Sequence, residues 1–319
     1  MLAVLLCLVS TAASAQTAVR VKVFPGSQNL PLIAGVSQGY FERQGLKVEV
    51  LFTQSSQEQR DGLASGDFQI AHSAVDNAVA MVERAKKDVI IVSGGDSSMN
   101  EVYVQPDVKS VADLKGRTII VDAPNTAYAL QLRKILLMHG LKAGDYKVQP
   151  IGATFLRLKA LRENSEYAAS TLNPPFSLEA QAAGKKSLGR VVDLIGPYQA
   201  TGAFVLRDWA KANAETLERY LAALIEGTRW SVAPANRDAA AKLLVERFKV
   251  EPANAGRMVE YLADPKFGLN PDARLDLGGF RAVLALRAEI EGDWGGKPPP
   301  AERYLDLTYF DNAMKKVRN

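Results

Sequence analysis

The stretch from Val19 to Phe52 narrows most what this chain can fold into. Val19, Val21 and Val23 alternate with Arg20 and Lys22, the period-two pattern of a strand with one buried face. Pro25-Gly26-Ser27-Gln28-Asn29 follows as a polar turn. Pro31 suits the first turn of a helix, where its missing N–H leaves no bond unmade. Ile33, Val36, Tyr40 and Phe41 give that helix one apolar face. Gly45 suits a left-handed helix terminus, and Leu46–Phe52 is the next strand. A strand–helix–strand unit predicts parallel pairing, because two parallel strands need a crossover between them. Sheets of this kind bind ligands beyond the carboxyl ends of their strands, where the loop Gly26–Leu30 falls. If Leu30 caps the helix, it has no side-chain acceptor to offer, and helix N–H groups stay free. A solvent-capped helix start and a ligand-facing turn are both open at this point.

The first residues read differently. Leu2–Val9 is a short apolar run, and Ala13-Ser14-Ala15 before Gln16 has the form of a signal-peptidase site. The expectation is a cleaved secretory signal over residues 1–15, although no Lys or Arg precedes the apolar run. Cys7, the single cysteine, lies inside this segment, so the processed chain is expected to carry no thiol, disulfide or cysteine ligand. Leu6 before Cys7 does not fit a lipobox, so no lipid anchor is expected. No other window reaches the length of a membrane helix. The net charge of +4 is small for 319 residues, and its basic doublets Lys86-Lys87, Lys185-Lys186 and Lys315-Lys316 are scattered. A dispersed charge of this kind describes a solvated surface rather than a nucleic-acid footprint.

Beyond the first unit, strands and helices keep alternating. Helices are expected at Ser56–Ala64, Val75–Lys86, Thr126–His139, Thr154–Glu163 and Phe176–Ala183. Strands are expected at Phe68–His72, Val89–Ser93, Glu101–Gln105, Thr118–Val121, Tyr146–Ile151, Tyr167–Leu172, Val191–Ile195 and Ala203–Leu206. After Asp208 the pattern turns helical, with helices at Ala214–Ser231, Arg237–Phe248, Ala253–Leu262, Gly279–Ile290 and near Asp306–Lys316. This alternation predicts an α/β fold with mainly parallel sheets.

The order of short motifs resembles a known family. Asn29-Leu30-Pro31 leads to Gly39-Tyr40-Phe41-Glu42-Arg43-Gln44-Gly45-Leu46, then Leu63-Ala64-Ser65-Gly66-Asp67-Phe68 and Ser110-Val111-Ala112-Asp113-Leu114-Lys115-Gly116. Val121-Asp122-Ala123, His139-Gly140-Leu141 and Pro174-Pro175-Phe176 continue the series. Over roughly two hundred residues this is similar to periplasmic solute-binding proteins of ABC importers, in the group of nitrate, sulfonate, taurine and thiamine-pyrimidine-precursor binding proteins; a fold alone does not fix a ligand. The resemblance implies a two-lobe periplasmic-binding-protein fold of type II, with a ligand cleft between lobes joined by two hinges. Lobe one would comprise 16–103 and 204–319, and lobe two 104–203, with crossings near Tyr103–Asp107 and Gln199–Val205. It implies a periplasmic monomer that closes on a small-molecule ligand and passes it to an inner-membrane ABC permease. No cofactor, metal or nucleic acid is implied.

Candidate ligand contacts sit where strands end: Ser27, Gln28, Asn29, Gln54, Ser55, Ser73, Asp122, Asn125, Thr126 and Asn173. For Asn125 and Thr126, capping the next helix and facing the cleft are both open. Tyr40, Tyr128 and Phe155 at helical spacing are expected in the core. The cleft loops contain Asp76 and Asp122 but neither Lys nor Arg, which predicts a neutral, zwitterionic or singly anionic solute. An arginine from a helix, such as Arg157, would change that count.

The alternative is an enzyme on the same fold. His72 and Ser73 lie near Asp67 and Asp76, as a hydrolase would need. Neighbouring residues of one strand point to opposite faces, however, and no G-x-S-x-G, H-E-x-x-H, P-loop or G-x-G-x-x-G is present. Pyrimidine synthases related to this group carry a cysteine-rich motif that this chain lacks. A non-enzymatic binding role is therefore the expectation.

Overall fold

The computed structural model describes residues 16–317. The expected signal segment and Cys7 lie outside the described residues. Ten strands form among them: β1 (Thr17–Val23), β2 (Leu46–Phe52), β3 (Ile70–Ala74), β4 (Val89–Ile91), β5 (Glu101–Val104), β6 (Thr118–Val121), β7 (Lys147–Pro150), β8 (Tyr167–Leu172), β9 (Lys186–Arg190) and β10 (Thr201–Leu206). They build two five-stranded sheets, ordered β2-β1-β3-β10-β4 and β7-β6-β8-β5-β9. This is an α/β fold of two lobes, one around each sheet.

In β1 the alternation does what it predicts. Val19, Val21 and Val23 are buried, while Arg20 is exposed and Lys22 half-buried. β1 runs parallel to β2, from Thr17 opposite Leu46 to Val23 opposite Phe52, and parallel to β3. Its valines pack with Phe41, Leu217, Leu221 and Phe310. The helix Ala214–Val232 supplies much of this face. It lies close against Leu30–Ser37, and Gly227 permits that approach: a Cβ there would stand 2.2 Å from the Pro31 carbonyl oxygen. The opposite face buries Ala71, Phe204, Val79, Phe280 and Leu284, the last two from the helix Leu277–Glu291. In the second lobe, Ala127–Met138 covers one face through Ala129, Leu132, Ile135 and Leu136. Thr154–Glu163 covers the other through Leu158 and Leu161, against Tyr103, Ile120 and Leu172. Burying an aliphatic side chain of this size contributes about 1.5–3 kcal/mol.

Four local expectations need correction. The first helix is interrupted: it ends at Ser37, Gly39 takes a left-handed φ of 69°, and a second helix runs Tyr40–Arg43. Val191–Ile195 is helical rather than extended. The strand beside β5 is the preceding segment, Lys186–Arg190. That segment is an edge strand, and edges favour charge over apolar alternation, which hides them from a periodicity reading. The sheets are also mixed: β10 is antiparallel to β3 and β4, and β5 to β8 and β9.

The crossings between sheets fall earlier than Tyr103–Asp107 and Gln199–Val205. Glu101–Val104 already pairs in the second sheet, and Thr201–Leu206 already pairs in the first. The chain therefore passes over between Ile91 and Glu101 and returns between Ile195 and Thr201. An extended linker that runs straight into a strand has no geometric break to mark its end. The two crossings lie side by side. Ala200 N–H donates to Asp96 O at 2.9 Å, and the Thr201 hydroxyl donates to the Asp96 carboxylate. Ser98 N–H donates to the same carboxylate at 2.9 Å. Burial pushes the Asp96 pKa up, against these bonds that pull it down.

Candidate functional site

The parallel strands of the two sheets aim their carboxyl ends at each other, and the residues following them line a narrow cleft. After β1 come Phe24, Pro25 and Gln28; at the end of β3 are Ser73 and Ala74; after β6 comes Asp122; after β8 comes Asn173. The first turns of helices add Ser56, Asn77, Ala127, Tyr128, Thr154 and Arg157. The centre of a water-sized sphere can move through about 40 Å³ of it. A water needs roughly 10–15 Å³ on this measure, so the space suits a solute of few heavy atoms.

Direct bonds close the two lobes over this space. The Ser56 hydroxyl donates to Asp122 Oδ2 at 2.5 Å. Asn173 Nδ2 donates to Gln28 Oε1 at 3.0 Å, and the Ser27 hydroxyl to Pro174 O at 3.0 Å. Ala153 N–H donates to Gln54 O at 2.9 Å. Behind Ser56 the network continues through Asn77, whose Nδ2 donates to Ser73 Oγ at 3.3 Å while its Oδ1 accepts from Arg60 at 3.0 Å. Ser73 in turn donates to Gln59 Oε1 at 2.6 Å.

Of the residues expected from sequence, Gln28, Ser73, Asp122, Thr126 and Asn173 come together on the cleft wall. The other five take neighbouring positions. Ser27 is buried in the inter-lobe contact with Pro174. Asn29 donates to Phe24 O at 2.7 Å and Gly26 O at 3.0 Å, holding the loop behind the cleft. Ser55 caps the helix Ser56–Ser65 by accepting from Glu58 N–H at 3.1 Å, and Gln54 N–H donates to Glu58 Oε2 at 2.9 Å. Asn125 presents its carbonyl to Arg287 Nη2 at 3.1 Å. Thr126 donates to Ala123 O at 2.9 Å and shows no side-chain cap bond, so the capping reading of that residue does not hold.

The charge count also changes. Asp76 is buried in an ion pair with Arg287, both oxygens accepting at 2.7 Å, and does not line the cleft. Arg157 does line it. Its side chain is buried and donates to Gly152 O at 2.6 Å, Ser170 Oγ and Thr171 O at 3.1 Å, and Thr154 Oγ1 at 3.2 Å. Burial lowers its pKa, and the charge of Asp122 opposes that. The lining thus carries one acid, Asp122, and one base, Arg157. Asp122 Oδ1 is buried without a hydrogen-bond donor among the described residues. Tyr128, expected in the core, lines the cleft instead, and burial pushes its phenol pKa up. Arg157 and Tyr128 share one signal that sequence reading can use: each lies in the first turn of a helix that starts at a strand's carboxyl end.

His72 points away from Ser73, into the core of the first lobe, where its Nε2 lies 2.8 Å from the Tyr220 hydroxyl. Ser73 therefore has no imidazole beside it. No group of three or more His, Cys, Asp or Glu is placed to hold a metal among the described residues. No helix among them is long and apolar enough to cross a membrane.

Known proteins share this architecture. The family described as NMT1/THI5 like matches residues 27–236. A protein of Brachyspira hyodysenteriae, provisionally named a periplasmic binding protein of an ABC transporter, is 23% identical over 68% of this chain and 66% of its own length. That share is just under two thirds of the relative. A solved structure from Bordetella bronchiseptica RB50 superposes with a TM-score of 0.80 at 22% identity, covering 95% of this chain and 98% of that one. The periplasmic nitrate-binding protein NrtA from Synechocystis PCC 6803 also gives 0.80, at 14% identity over 95% of this chain and 89% of that one. At such identities the likeness establishes the fold.

Proposed function

We propose, because this chain belongs to the NMT1/THI5-like family, that it is the extracytoplasmic solute-binding component of an ABC importer. It captures a small polar organic solute in the periplasm and delivers it to a membrane permease. The observation that carries this reading is the polar cleft at facing strand ends, lined from both lobes and bridged by Ser56–Asp122 and Gln28–Asn173. A solute held there touches both lobes, so it favours whichever arrangement brings them together, a population shift by hinge motion. One acid and one base on the lining suit a neutral, zwitterionic or singly anionic solute. Binding without turnover fits a site where the serines bond amide and carboxylate groups rather than an imidazole.

A thermal-shift panel of small solutes tests the proposal, since a ligand that binds only the folded state raises the melting temperature. A saturable upward shift, confirmed by calorimetry and without product formation, supports it. Turnover of the bound solute by the purified protein assigns an enzyme instead.

A further inference from the structure

We infer that Asp122 selects solutes carrying a positively polarised N–H donor and rejects oxyanions that have none. The inference rests on the solute-binding reading above and narrows the class of ligand. Three observations converge on this carboxylate. It lines the cleft between the lobes. Its Oδ2 is satisfied from the opposite lobe by the Ser56 hydroxyl. Its Oδ1 is buried with no donor among the described residues. Buried acceptors are nearly always paired, so an orphaned carboxylate oxygen on a binding cleft marks where a partner's hydrogen belongs. A carboxylate can only accept, which makes the missing partner a donor.

The cation on the same lining does not fill that role. Arg157 spends its guanidinium on Gly152, Thr154, Ser170 and Thr171, and it forms no ion pair with Asp122. Its charge is felt by Asp122 at a distance, without neutralising it by contact. A nitrate or a plain alkanesulfonate would therefore meet an acceptor facing its own acceptors. An ammonium, amidine or ring amine would complete the site.

The test uses pairs that differ only by exchange of an amino for a methyl group: taurine against propanesulfonate, glycine against propionate, aminopyrimidine against methylpyrimidine, with nitrate as a donor-free probe. Calorimetry on the purified protein should show at least one amino member binding ten or more times tighter than its methyl partner, and no nitrate binding. Asp122→Asn should abolish or invert that preference. Its amide oxygen accepts from Ser56 and its NH2 faces the cleft, so the variant favours acceptors while its melting temperature stays near that of the parent. Nitrate or propanesulfonate binding as tightly as an amino compound, or an unchanged preference in Asp122→Asn, overturns the inference and leaves solute binding standing. Absence of binding across the whole panel overturns it together with the solute-binding reading.

Discussion

His72 shows how much one half-buried side chain can hold back. Its Nε2 faces the Tyr220 hydroxyl at 2.8 Å, and the two rings meet edge to face. A neutral imidazole can accept or donate in that bond according to its tautomer, while an imidazolium could only donate to the phenol oxygen and would carry a charge among largely apolar groups. Burial accordingly lowers the His72 pKa from 6.5 to about 4. As pH falls below 6.5, the unfolded chain takes up this proton and the folded chain does not until about pH 4. Stability therefore declines across that window and is flat above it, by up to about 3 kcal/mol in all. Urea unfolding followed through the window should show the decline, and His72→Gln should remove it. An unchanged slope in the variant would place the titration elsewhere. Sequence gave fair warning of His72, because a histidine beside Ser73 on one strand must face away from it. It marked Arg157 as able to reach the cleft from the first turn of its helix but left its arrival open, because that depends on how Thr154–Glu163 is rotated against β8, a matter of tertiary packing.

At the scale of elements, the contact between Leu30–Ser37 and Ala214–Val232 is set by Gly227. A Cβ at that position meets backbone, the Pro31 carbonyl oxygen at 2.2 Å, so no side-chain rotation relieves it. Gly227→Ala should force the helices apart, costing about 1–3 kcal/mol as overpacking does. A lowered melting temperature with unchanged solute specificity is the expected result, and an unaltered melt would show that the pair can slide. Most elements were legible beforehand because their periodicity is local: β1, β6, β8 and the helices Thr154–Glu163 and Arg237–Phe248 lie where pattern and caps put them. Val191–Ile195 was not, since five residues that are apolar except for Asp193 are too few for periodicity to separate strand from helix. Nor were the crossings, because β5 and β10 are assigned to a sheet by their partners, not by their own residues.

The whole molecule is held in its present arrangement by two kinds of inter-lobe bond. One set gathers around the cleft: the buried Ser27–Pro174 bond and the partly buried Gln28–Asn173 and Ser56–Asp122 bonds. A second set lies toward the surface, between the second-lobe helix Ala127–Met138 and the helix Leu277–Glu291 that packs on the first lobe. Arg133 pairs with Glu291, and Lys134 with Glu289 at 2.6 Å. These charges touch no cleft residue, so on the hinge-closure proposal they act on affinity through the balance between open and closed forms. Exposed pairs contribute roughly 0.2–1 kcal/mol each. Reversing Glu289 and Glu291 to lysine removes two inter-lobe attractions and adds repulsion, a bias toward the open form of about 1–2 kcal/mol; it also breaks the pair that Glu291 makes with Arg84 within the first lobe at 3.1 Å. Apparent affinity scales with the closed fraction, so where open and closed forms are nearly balanced solute binding should weaken by roughly three- to fifteen-fold. Small-angle scattering of the solute-free variant should then give a larger radius of gyration, which saturating solute returns to the parent value. Adding Arg133→Glu and Lys134→Glu restores the attraction with its signs exchanged, and should recover both affinity and radius. High salt should shrink the difference between parent and reversed variant, because these charges are screened far more than the bonds around the cleft. If the reversed variant binds as tightly as the parent and scatters identically, the lobes form one rigid body. Solute would then enter by a route other than hinge opening.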